Sequence, residues 1–250
     1  MAAPGHADFA DWLATPLGRY VLAWEQTKLD IVLADIFGFN ALQIGFQEVD
    51  CLRANRMPFR CYCCAHPGTA VRTDPHQLPF ATNSLDLVVL PHVLEFDANP
   101  HQILREVDRV LVPEGSAVVT GFNPFSLWGL RRFFAGRQAG LPWQGRYLSV
   151  PRLRDWFALL GHETRAGAFG CYVPPVDQEK WLARWHFMES AGDRWWPALG
   201  GTYVVQAIKR QPGMRRVMPK WKDRMARARA LALMPQKPLT QKTEKTLDAP

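Results

Sequence analysis

Residues 85–121 constrain the fold of this chain more tightly than any other part. LDLVVL at 85–90 is a continuous apolar run rather than an alternating one, as a parallel strand covered on both faces requires. PHQILREVDRVL at 100–111 then sets Ile103, Leu104, Val107, Val110 and Leu111 on one helical face, and Pro113-Glu114-Gly115 ends it with a turn. SAVVTG at 116–121 has the length of a second strand. Strand, helix and strand in this rhythm predict a right-handed crossover and a doubly wound α/β sheet.

The flanking sequence extends that pattern. Thr15-Pro16 is a helix start, a hydroxyl N-cap before a proline whose missing N–H costs nothing there. Leu17, Tyr20, Val21, Trp24, Lys28, Ile31 and Asp35 fall near one stripe of the helix after it. Leu29, Val32, Leu33 and Ile36 widen the apolar face, and Gly38 is placed to cap its end. Residues 41–44, 60–64 and 70–73 suit short strands, 151–160 a helix stopped by Gly161, and 163–172 and 202–208 two more strands. A Trp-rich segment with Trp181, Trp185, Trp195 and Trp196 lies between those last two. No repeat and no second core appear after it, so the expected organisation is one domain over 1–208, with a helical lead-in, and a tail over 209–250.

Charge separates the two parts. Residues 209–250 hold twelve Lys or Arg against three acids, so the tail carries a net +9 of the formal +7 and the body before it −2. The basic character therefore says little about what the body binds. A hydrophobic content of 48% is ample for a buried core. The first residues lack the basic and apolar regions of a secretory signal and there is no membrane-length apolar run, so the expectation is a cytoplasmic protein. Cys61, Cys63, Cys64 and His66 invite a metal reading, but Cys-x-Cys-Cys lacks the paired spacing of a zinc site, and no metal is expected.

The most informative stretch is DPHQLPFATNSLDLVVLPHVLEF at 74–96, followed by LREVDRVLVPEG at 104–115. An acid at a strand end, Leu-Pro-Phe, Ser-Leu-Asp opening a buried strand, His-Val-Leu, and a helix ending in Val-Leu-x-Pro-x-Gly resemble the class I S-adenosylmethionine-dependent methyltransferases. The likeness is to the broad bacterial group that includes quinone-biosynthesis methyltransferases, and it covers roughly residues 38–121. It implies a Rossmann-like, seven-stranded sheet whose last strand, here 202–208, is antiparallel. It also implies S-adenosylmethionine as cofactor, bound outside the carboxyl ends of the strands.

Residue by residue, the resemblance makes Asp74 the acceptor for the adenine amino group and sets His76 beside the adenine ring. Gly45, with Phe46 after it, becomes the cofactor loop, and Pro91 and His92 flank the methionine end and the methyl group. Asp74 also suits a loop cap, and His92 a packed histidine that satisfies backbone groups. Asp86 is expected to order the start of its strand. In ALQIGFQEVD at 41–50 the pattern departs from the family: Gln43, Gln47 and Val49 stand where an acid and two glycines belong, so side chains at 47 and 49 should narrow the loop. At the end of the second strand, where an acid would hold the ribose, the chain has Cys64, Ala65 and His66, leaving Glu48 or Asp50 as substitutes.

Methyl transfer from a sulfonium is an in-line displacement in which the protein aligns the reactants, excludes water and, for some acceptors, removes a proton. His92 is the candidate base, since an imidazole near pH 6.5 suits that role. GFNPFSLWGLRRFF at 121–134 reads as a lid over an apolar or lipid-like methyl acceptor, or as a helix packed on the core. PKWKDRMARARALALM at 219–234 reads as a solvated tail, or as a basic amphipathic stretch for an anionic membrane or nucleic acid. The rival to an enzyme is a catalytically silent scaffold of the same fold. A nicotinamide oxidoreductase is disfavoured, because the first strand lacks a Gly-x-Gly-x-x-Gly turn.

Overall fold

The computed structural model describes residues 6–46, 49–64, 71–135 and 140–210. Two helices lead in, α1 (His6–Leu13) and α2 (Pro16–Ala34), before β1 (Asn40–Ile44), β2 (Phe59–Cys64), β3 (Val71–Arg72) and β4 (Leu85–Pro91). A single turn, α3 (Val93–Phe96), then precedes α4 (Pro100–Val110), β5 (Leu111–Phe122), α5 (Leu127–Ala135) and α6 (Val150–Leu159). β6 (His162–Gly170), α7 (Glu179–Trp185), α8 (Phe187–Trp195), a 3₁₀ turn (Pro197–Leu199) and β7 (Thr202–Lys209) complete the domain.

The seven strands lie in the order β3-β2-β1-β4-β5-β7-β6. Ladders from β3 through β5 are parallel, and β7 is antiparallel to both β5 and β6. The chain reverses its direction of travel across the sheet between β1 and β4, the crevice where doubly wound sheets bind ligand. Strand β4 explains the unbroken apolar run. Val88 and Leu90 pack under α4 and α6 with Ile103, Leu104, Val107, Leu153 and Phe157. Leu87 and Val89 face the opposite core of Phe9, Leu17, Val21, Leu29 and Leu33. With both faces buried, no polar alternation is possible.

Three sequence expectations change. The buried stripe of α2 is Leu17, Val21, Glu25, Leu29 and Leu33, while Ile31 is exposed. Helix α2 is capped by Asp35 rather than Gly38. Gly38 instead admits Asp86, whose side chain would lie 2.4 Å from an added Cβ and whose Oδ2 accepts from the N–H groups of Phe39 and Asn40 at 2.9 Å each. Asp86 therefore orders the start of β1, one strand away. Third, the turn expected at 113–115 is part of β5: Leu111 already pairs with Leu85, and Glu114 takes a left-handed φ of 65° within a register shift.

Lys209 and Arg210 also belong to the domain. Lys209 Nζ donates to the carbonyls of Asp108 and Leu111, and Arg210 pairs with Glu163 and Glu114. The basic stretch at 219–234 lies outside the described residues.

Candidate active site

The β1 turn begins at Gly45, whose φ of +88° is open to glycine and whose added Cβ would sit 2.7 Å from Val93 Cγ2. Its N–H donates to the carbonyl of Cys63 at 2.8 Å. Gln43, fully buried, organises the loop beyond Gly45: Nε2 donates to the carbonyls of Phe46 and Val49 at 2.7 Å each, and Oε1 accepts from the Cys51 N–H at 3.0 Å. A carboxylate cannot donate, so an acid at 43 would require a loop with amides turned inward instead of two carbonyls. The substitution noted in the sequence is thus a different way of building the loop. Gln47 and Glu48 lie outside the described residues. Phe46 is buried with its ring 4.3 Å from that of Phe9 on α1, and Val49 is buried beside it.

At the end of β4, His92 takes a left-handed φ of 49° and is enclosed. Its Nε2 meets Glu25 Oε1 at 2.8 Å, its Nδ1 meets Glu95 Oε2 at 3.0 Å, and side-chain exposures are 3%, 6% and 1% for His92, Glu25 and Glu95. Glu95 also accepts from the Phe122 N–H, and the Phe122 ring lies 4.4 Å from the imidazole. Burial pulls the His92 pKa down, but Glu25 and then Glu95 lift it further, to about 10. Burial drives the Glu95 carboxyl up from its ordinary value against the pull of His92. With two carboxylates accepting from it, His92 is an imidazolium at neutral pH. The expectation of a general base is therefore corrected: the ring carries its proton already and both nitrogens are committed. Glu25 belongs to no motif in the sequence, although its four-residue spacing from Val21 and Leu29 sets it on the buried stripe, where an acid requires a partner.

Asp74 and His76 stand together at the end of β3. The backbone N–H of His76 and its Nδ1 both reach Asp74 Oδ1, at 2.9 and 2.7 Å, while His76 Nε2 meets Asp97 Oδ1 at 2.9 Å. Asp74 Oδ2 has no hydrogen-bond partner among the described residues, and the side chain is 62% exposed. The His76 backbone N–H, then its ring, hold the Asp74 carboxyl below its usual range. Asp74 is thus an ionised acceptor with one oxygen open. Asp50 is occupied: its Oδ1 accepts from Tyr62 OH at 2.8 Å and from the Leu52 N–H. The side chain of Cys64, and Ala65 and His66, lie outside the described residues.

The expected site residues therefore fall into two groups joined through α3: Gly45, Phe46, Pro91 and His92 gather under α1 and α2, and Asp74 with His76 is tied to Asp97 at the end of α3. Between Phe9, Leu13, Glu25, Phe46, Val49 and Pro91 remains a cavity of only about 10 Å³, room for a single water at most. S-adenosylmethionine is the cofactor that the sequence resemblance implies, and Asp74, the residue expected at its adenine end, keeps one oxygen open among the described residues. Phe9 packs over Phe46 beside the Gly45 turn and Pro91, where the resemblance sets the methionine end, and leaves little room there. The helix of the 121–134 segment, α5, is anchored on the core. Trp128 of α5 is fully buried with Nε1 donating to Val173 O at 3.1 Å, whereas Leu130, Phe133 and Phe134 project outward.

Residues 47–119 match the methyltransferase domain family. The chain is 32% identical over 164 residues to the uncharacterized protein YafS of Escherichia coli K12, spanning 61% of this chain and 64% of that protein. It is 36% identical over 69 residues to the biotin biosynthesis bifunctional protein BioHC of Cellvibrio japonicus, covering 27% of this chain and 14% of that one. The chain thus spans less than two thirds of the length of either relative. In fold it resembles an S-adenosylmethionine-dependent methyltransferase from Thermotoga maritima, with a TM-score of 0.56 at 14% identity over 74% of this chain and 89% of that one. A second likeness is to one from Archaeoglobus fulgidus, with a TM-score of 0.51 at 17% identity over 75% and 94% of the two chains. The β3-β2-β1-β4-β5-β7-β6 sheet with its antiparallel β7 is thus the fold shared with these methyltransferases, and the methyltransferase domain match runs from the β1 turn into β5.

Proposed function

We propose that this protein transfers a methyl group from S-adenosylmethionine to a small or lipid-like acceptor, and that α1 withdraws to admit the cofactor. The observation that carries this reading is the placement of Gly45 and Asp74 just beyond β1 and β3, on the half of the sheet that ends at the switch point: a left-handed glycine turn beside Pro91, and an ionised acceptor with an open oxygen. Asp74 is assigned to the adenine amino group and His76 to holding Asp74 in place. His92 is assigned a positioning role, tying α2 to the end of β4 through Glu25 and to β5 through Glu95. Proton removal from the acceptor, where needed, falls to another group or to solvent.

The packing of Phe9 on Phe46 favours a second reading, a catalytically silent member of the fold whose cofactor space is permanently filled. Calorimetric titration with S-adenosylmethionine and S-adenosylhomocysteine separates the two, using the natural protein and Phe9→Ala. The enzyme reading requires binding by the natural protein, strengthened when the Phe9 ring is removed. Absence of heat and of thermal shift for both proteins at millimolar ligand establishes the silent reading.

A further inference from the structure

A cleft of about 320 Å³ opens between the start of α4 and the segment leading into α6, within the size range of small-molecule sites. Arg105, Arg146 and Arg152 line it, with His101, Tyr147 and Trp156. None of the three guanidiniums has a carboxylate partner among the described residues. By contrast, Arg53, Arg109 and Arg210 each close on a carboxylate at the surface. The Arg152 guanidinium lies 5.3 Å from the Trp156 ring, and the His101 ring 3.8 Å from it on centroids, so a basic group and an aromatic wall are held together.

The acid bordering this cleft, Asp97, directs its Oδ1 to His76 and to the Asn99 N–H and forms no ion pair with the three arginines, whose charges exceed its own. Tyr147 contributes only to the wall of the cleft: its ring packs inward on Phe122 and under the Arg132 guanidinium, and its hydroxyl is buried away from solvent. Helix α4 also begins at the cleft with no side-chain cap from Asn99, which adds positive potential without defining the site.

We propose that this cleft binds a dianionic group, in the manner of a phosphate monoester, with Arg105, Arg146 and Arg152 as its charge partners and Trp156 as the wall for the remainder of the ligand. Three guanidiniums suit two negative charges spread over several oxygens, and a monocarboxylate would leave most of the donors idle. The site is independent of the methyltransferase reading, since it includes neither Gly45 nor Asp74. It also leaves the acceptor unnamed.

The test uses the full chain and inorganic phosphate as the probe, titrated calorimetrically at low salt, with acetate at matched ionic strength as the control. Phosphate should bind and acetate should not. Arg152→Gln should weaken phosphate about tenfold, the effect of losing one charge-assisted contact, and the triple variant R105Q/R146Q/R152Q should abolish measurable heat. All three side chains are exposed, so thermal unfolding of the variants should match the natural protein. No phosphate binding by the natural protein, equal binding of acetate, or undiminished binding by the folded triple variant would each overturn the proposal.

Discussion

Replacing His92 with alanine removes the cation that lies between two buried carboxylates. Glu25 and Glu95 lose contacts of 2.8 and 3.0 Å and remain at 6% and 1% side-chain exposure, and water entering the vacated site does not replace the positive charge. Deleting one partner of a buried ion pair costs about 3 to 5 kcal/mol, because the surviving charge is left uncompensated. For a domain of this size that corresponds to a fall of roughly 6 to 20 °C in Tm. The triple variant E25Q/H92Q/E95Q should regain part of the loss, since it removes the buried charges together.

The same cluster has a signature in pH. His92 holds its proton more tightly folded, with a pKa of about 10, than unfolded, where the ordinary value is near 6.5. Its stabilisation is therefore fully present below about pH 6.5 and is lost as the pH rises through about 10. Glu95, raised by burial, acts with the same sign at lower pH, since a carboxyl that resists ionising in the fold also costs stability as pH rises. Urea unfolding of natural protein and His92→Ala at pH 6, 8 and 10 reads the difference, and groups away from the cluster cancel. The gap should be largest at pH 6 and narrow toward pH 10. A gap under about 1 kcal/mol at pH 6, or one that widens with pH, refutes the assignment of His92 as a buried imidazolium.

Other positions in the site carry outcomes of their own. Gln43→Glu places a carboxylate against the carbonyls of Phe46 and Val49 and removes their donor, and should lower stability by about 2 to 3 kcal/mol in urea without changing the m value. Gly45→Ala imposes a side chain at φ +88° and 2.7 Å from Val93 Cγ2. It should cost about 1 to 3 kcal/mol, part of which the second change Val93→Ala returns, as a double-mutant cycle would show. Asp74→Asn, at an exposed carboxylate, should leave stability within about 0.5 kcal/mol while weakening S-adenosylmethionine about tenfold in calorimetry. An unchanged affinity removes Asp74 from the adenine site.

Much of the frame was legible in the residues. LDLVVL announced a strand buried on both faces because β4 lies at the centre of the sheet, and PHQILREVDRVL announced α4 because one face of it meets that strand. The site was legible only in outline. Asp74 and Gly45 follow β3 and β1, the strands read from the residues before them, since each sits in a local turn. His92 could be located but not understood: its position is fixed by the end of β4, while its protonation is fixed by Glu25, 67 residues earlier. The role of Gln43 was equally hidden, because a missing acid reads as a loss until the two carbonyls it serves are in view.

The sequence by itself determined the order of strands and helices, the doubly wound class and the place of the β1 turn, because burial and turn geometry act on neighbouring residues and leave a local pattern. Only the tertiary structure decided that Phe9 closes over Phe46, that His92 is clamped between Glu25 and Glu95, and that three arginines share a cleft. Those facts depend on which distant side chains meet across an ångström or two, and hydrogen bonds and charges weaken too steeply with distance for composition or spacing to specify them.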